Sequence, residues 1–260
     1  MEVHAHTHTA RKKWTHYFWE FLMLFLAVFC GFLAEYQLEH KIERDRAKEL
    51  AKTFYEELKN DSVNVAAKYQ NRIKLENAQS HLRNYFKDSS MSNVSKTFAI
   101  NFHNGILFRS PTFFEPRTVV LEQLQNSGSL RYFKSKELQK LIGDISVAIY
   151  NIKDRQALES SYRESYIVPL LIKHYDSEFE SKLQFGGKNM FENLVQYEKA
   201  DTVIPFKLKK PEIFDTEEAG NILSIFTFNC RGTRTIQFQN YIDLNAVLLK
   251  ELRKEYHIKN

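Results

Sequence analysis

Residues 14–38 read WTHYFWEFLMLFLAVFCGFLAEYQL, and the rest of the chain is organised around them. Phe21 to Ala34 carries no charge. A hydrocarbon core about 30 Å thick needs roughly 20 apolar residues of helix. The uncharged run alone is short of that. Extended to Trp14 and Leu38 it is long enough, with Glu20 and Glu35 near its two edges. Trp14, Tyr17, Trp19 and Tyr36 stand where interfacial aromatic belts belong. No small-x-small cleavage site follows the run, which disfavours a signal peptide. The expectation is an uncleaved transmembrane anchor over 14–38, preceded by a polar, His-rich tail over 1–13.

Orientation rests on charge. Arg11, Lys12 and Lys13 precede the span and favour a cytoplasmic N-terminus. Lys41, Arg44, Arg46, Lys48 and Lys52 follow it and lean the other way, but long domains translocate largely regardless of such charge. A short tail with a basic cluster before an apolar run has the form of a signal-anchor. The C-terminal part is therefore expected outside, in the periplasm.

Downstream, the composition is helical. The chain has 260 residues, with 8 glycines and 5 prolines, too few to punctuate a β-rich fold. Lys and Arg are interleaved with Asp and Glu, and the net charge of +5 has no basic stripe behind it, so nucleic acid is not an expected partner. Cys30 lies in the span and Cys230 far beyond it, so no disulfide between them is expected.

From Glu39 to Phe86 there is neither proline nor glycine. Leu38, Ile42, Leu50, Phe54, Leu58, Val65 or Ala66, Tyr69 and Ile73 make a stripe at helical spacing, as in a coiled coil. Two readings stay open: one helix continuous with the anchor, or a break at Asn60-Asp61-Ser62, where Asp61 or Ser62 would cap a new helix. Short elements follow: a segment over 94–108, the connector RSPTFFEPRT with its two phenylalanines, and a helix capped by Thr118 and closed at Gly128. Ser135 opens a second long helix, expected to reach about residue 180, kinked at Pro169 and stopped by Gly186-Gly187. A short helix over 188–198 leads to the irregular IPFKLKKPEIF. Asp215 and Glu218 have capping-box spacing and predict a helix from Thr216 to about Asn229, ended by Gly232. A β-hairpin about Arg231-Gly232 is the rival, and the cap signal favours the helix. The last helix is expected over 233–257.

Catalytic signatures are missing. No nucleophile elbow, dinucleotide fingerprint, P-loop or zincin motif occurs, and no catalytic residue or cofactor is assigned. His4, His6 and His8 alternate on the tail and are weak metal candidates, since a closed site needs more ligands in fixed geometry. His174, Tyr175 and Asp176 are consecutive, so on a helix they point apart. His81 and His103 are read as structural. The intramembrane carboxylates Glu20 and Glu35 have two readings, proton transfer with a partner or simple boundary markers paired with Lys13 or His16. The boundary reading is preferred.

One block supports a resemblance. LEQLQNSGSLRYFKSKELQKLI, residues 121–142, contains Glu122, Leu124, Ser127, Gly128 and Leu130 in the pattern E-x-L-x-x-S-G-x-L. With the N-terminal span and the charged helix behind it, the chain resembles a family of uncharacterised single-pass, N-terminally anchored helical membrane proteins of the Bacteroidota. The Phe-rich anchor flanked by Glu20 and Glu35 departs from the Ile/Val/Gly-rich run common there. The resemblance implies a cell-envelope location and a helical fold, and no activity; the expected location is the bacterial inner membrane.

The resulting expectation is an all-α protein: a transmembrane helix continuing into a long helix, and an elongated helical bundle over 39–260 with long helices at about 39–86, 135–180 and 233–257. The expected function is structural or interactive, without catalysis. The alternative is a sensory or ligand-binding module acting through a membrane partner. Expected partners are the lipid bilayer and either a second copy or another membrane protein.

Overall fold

The computed structural model describes residues 13–109 and 112–258. Among these no strand occurs, and the fold is all-α. With no proline and a single glycine, Gly31, the first helix, α1, is Trp14–Asp88, 75 residues. It does not break at Asn60-Asp61-Ser62. The Asn60 amide donates to Glu56 O at 2.8 Å and the Ser62 hydroxyl to Lys59 O at 2.7 Å, so both side chains bond back to their own helix instead of capping a new one.

Contacts divide the chain between Leu50 and Ala51. In the first unit, α1 alone presents its apolar surface outward. Phe21, Phe25 and Phe29 form a stacked ladder with ring centroids 6.3 and 5.9 Å apart. A window of this helix is long and apolar enough to cross a membrane, and none of it is buried.

The second unit is a helical bundle. Its helices are α2 (Lys96–Phe102), α3 (Val119–Asn126), α4 (Lys136–Tyr162), α5 (Val168–His174), α6 (Glu178–Lys182), α7 (Met190–Lys199), α8 (Thr216–Gly232) and α9 (Gln239–Tyr256), packed with the C-terminal part of α1. The caps follow their sequence signals. Ser135 Oγ accepts from Leu138 N, Asp215 Oδ1 from Glu218 N and Asn189 Oδ1 from Glu192 N. Gly128 adopts φ 69°, the left-handed conformation after α3 that glycine takes without strain. Thr118 precedes α3 but its hydroxyl turns to Glu122 Oε1 at 2.6 Å, so it makes no backbone cap.

Two expected helix boundaries are corrected. The helix from Ser135 stops at His174, not near 180. There the chain turns extended, and residue 209 clamps the end: Lys209 N donates to His174 O at 2.8 Å, and His174 Nδ1 donates to Lys209 O at 2.9 Å. Gly232 does not end the helix from Thr216. It keeps helical φ and ψ of −56° and −49°, and α8 runs into α9 through Thr233–Phe238. The predicted gap between 229 and 233 is therefore one unbroken helical path, and the β-hairpin does not form. IPFKLKK has no regular secondary structure, as expected, and buries alternate residues Ile204, Phe206 and Leu208 in a cluster with Phe98, Phe102 and Phe179.

Candidate functional site

The anchor's sequence candidates come first. Glu20 lies 3.0 Å from His16 Nε2, one turn before it, with both side chains half exposed. Glu35 is exposed on the same helix. His4, His6 and His8 lie outside the described residues. The downstream histidines have separate partners. His103 is fully buried, and burial pushes its pKa below the ordinary imidazole value. Its Nδ1 donates to Ala99 O at 2.7 Å, and its Nε2 stands 3.2 Å from the Tyr175 hydroxyl, which donates to Glu180. His174 faces Lys209 and Phe214, while Asp176 reaches the Glu178 amide. Residues 174–176 form no common site, but not for the helical reason expected: the helix ends at His174, Tyr175 is extended and turns to His103 and Glu180, and His174 and Asp176 both lie beside Lys209.

The densest polar constellation was not anticipated from the sequence. Along α1, Ala51, Leu58, Val65, Arg72, Gln79 and Phe86 are spaced by sevens and all buried. Two of these six rungs are polar. Arg72 forms a bidentate pair with Glu159 of α4, Nη1–Oε1 2.8 Å and Nη2–Oε2 2.9 Å. Its remaining donors reach Thr112 O at 3.1 Å and Cys230 O at 3.3 Å, and its face lies 4.5 Å from the Phe238 ring. One turn on, Glu76 accepts from Arg234 and Arg231. Gln79 donates to Gly105 O and accepts from the Thr227 hydroxyl at 2.7 Å.

Three π-helical turns, His103–Leu107, Arg163–Ile167 and Thr233–Phe238, occur among the described residues, and each supplies this network. A π turn re-aims the residues after it by one extra residue, and such turns often mark functional or strained positions. The first presents Gly105 O to Gln79 and carbonyls 106 and 107 to Arg163. The second carries Arg163 itself. The third delivers Arg234 to Glu76 and Phe238 to Arg72.

The chemistry available here is limited by saturation. Opposite charges are paired and donors matched to carbonyls, which is the condition under which buried polar networks rigidify a core. The cleft beside Arg72 and Glu159, lined by Phe108, Phe113, Gln156, Ser160 and Cys230, holds about 20 Å³. That is room for one water, not a substrate. The Cys230 thiol is buried and its pKa is raised by desolvation, the opposite of a reactive cysteine. Among the described residues, no three His, Cys, Asp or Glu converge on a metal position.

At Asp61 the same core contains a pH-sensitive contact. This carboxyl is 2% exposed and accepts from Arg117 N at 2.8 Å and the Tyr241 hydroxyl at 3.1 Å. Desolvation raises its pKa above the ordinary 3.8. The folded state then holds a proton where the unfolded chain has released it. Its contribution to stability is present below pH 3.8 and lost as pH rises through the raised folded value. Asp61→Asn, which keeps an acceptor without the charge, is expected to abolish that slope in urea midpoints measured across pH. Asp61→Ala should cost about 1–3 kcal/mol by stranding both donors.

Comparison with protein-family models, with curated proteins and with solved structures produced no match to this chain.

Proposed function

We propose that this chain is a single-pass protein of the bacterial inner membrane whose periplasmic helical domain serves a structural or interaction role without catalysis. The observation that carries the reading is the outward-facing apolar surface of α1 from Trp14, none of it buried. Water exposure of that many large apolar side chains is unfavourable, and a bilayer is the environment that removes it. The C-terminal unit supports the second half of the proposal. Its central polar groups are spent on one another, and the cleft beside them admits no more than a water.

The test is crosslinking in native membranes followed by affinity recovery of the full chain. A specific membrane protein, or a crosslinked dimer of the chain itself, is the expected product. Recovery of monomer alone at every crosslinker length overturns the interaction reading.

A further inference from the structure

Three arginines of the bundle are held by carboxylate, carbonyl or hydroxyl acceptors. Arg72 has Glu159 and two carbonyls, Arg163 has two carbonyls, and Arg234 has Glu76 and the Tyr69 hydroxyl. Arg83, on α1, donates only to the Ser224 hydroxyl of α8, at 3.3 Å. Its Nε is shut off from solvent with no partner. A guanidinium N–H buried without a partner is costly, and such a group in a native structure calls for an acceptor. Beside Arg83 an open groove of about 430 Å³ runs between α1 and the first turns of α8. Lys87, one turn further along α1, lines it too, with Thr216, Asn221 and Ser224 on the opposite wall and Phe86 at its base. Among the described residues neither Arg83 nor Lys87 has a carboxylate partner.

We propose that this groove is a binding site for the phosphate or carboxylate group of a small hydroxylated molecule. Arg83 lines this groove, and its planar guanidinium offers paired donors to two oxygens of one anion. Lys87 supplies the second positive charge. Thr216, Asn221 and Ser224 supply hydroxyl and amide groups for the neutral part of the ligand, and Glu217 on the same lining accepts from a ligand hydroxyl. Two cations against one carboxylate favour a singly or doubly charged ligand over a polyanion. The site stands on the groove alone and does not depend on the membrane reading.

The experiment is a calorimetric titration of the full chain in neutral maltoside micelles with inorganic phosphate, malonate and glucose. Saturable binding of at least one of the two anions, and none of glucose, is expected. Arg83→Gln should weaken it about tenfold or more, the loss of a charge-assisted fork. Lys87→Gln, at an exposed position that leaves packing untouched, should weaken it several-fold, and Lys140→Gln should leave it unchanged. Repeating the titration with phosphatidylglycerol in the micelles separates sources. Competition assigns the site to a lipid phosphate, and unchanged affinity assigns it to a soluble anion. Absence of saturable anion binding, or equal affinity in wild type, Arg83→Gln and Lys87→Gln, overturns the proposal.

Discussion

Glu159→Leu is expected to destabilise the helical domain by about 3–5 kcal/mol, because it leaves the Arg72 guanidinium buried without its counter-charge. Arg72 is fully buried and Glu159 is 7% exposed, so water cannot replace the lost partner. For a domain of this size the loss corresponds to about 2–4 °C of melting temperature per kcal/mol. The double replacement Arg72→Met/Glu159→Leu should recover most of it. Well-packed apolar residues of similar volume commonly do as well as a buried ion pair, or better. The informative quantity is the coupling energy from a double-mutant cycle in urea. A single-mutant cost below about 1 kcal/mol, or a double mutant as unstable as the two singles added, would refute the view that the pair stands dry.

The second large effect concerns the anchor. Phe21, Leu22, Leu24, Phe25, Leu26, Val28, Phe29, Phe32 and Leu33 each favour insertion by about 0.3–0.6 kcal/mol near a helix centre, so the run is worth about 3–5 kcal/mol. The full chain should resist alkaline carbonate extraction from membranes. A chain shortened to residues 39–260 should appear in the soluble fraction with its helical circular dichroism intact. Extraction of the full chain by carbonate would remove the basis of the membrane reading. Sedimentation of the shortened chain with membranes would reveal a second attachment.

How much of this could be read from the residues divides along physical lines. Two helix starts were legible because a start carries its own chemistry: Ser135 and Asp215 each accept an amide three residues on, whereas Thr118 makes no such bond and Asn189 caps a helix whose expected start, Lys188, lies one residue before it. Helix ends were not. Gly232 has the residue type of a terminator, yet the contacts of Arg234 with Glu76 and of Phe238 with Arg72 hold the chain helical past it. The end at His174 is set by Lys209, 35 residues away, which no local pattern reports. The buried network was missed for a related reason. An apolar stripe assigns every charged residue to solvent, so it places Ile73 at the core position that Arg72 beside it occupies. The usable signal was the spacing by sevens, which continues through Arg72 and Gln79 without regard to polarity. Arg83 had no signal at all, since one arginine among many on a charged helix looks solvated until its neighbours are known.

That spacing by sevens has a consequence for alignment. A helix whose buried rungs were all Ala, Leu, Val and Phe could slide one heptad along its neighbours and bury nearly the same apolar area. With Arg72 on one rung, such a slide would seat Val65 or Gln79 opposite Glu159 and leave a carboxylate with no cation. The ion pair therefore acts as a key with a single keyhole. Its worth lies less in holding the bundle together than in permitting only one way of assembling it.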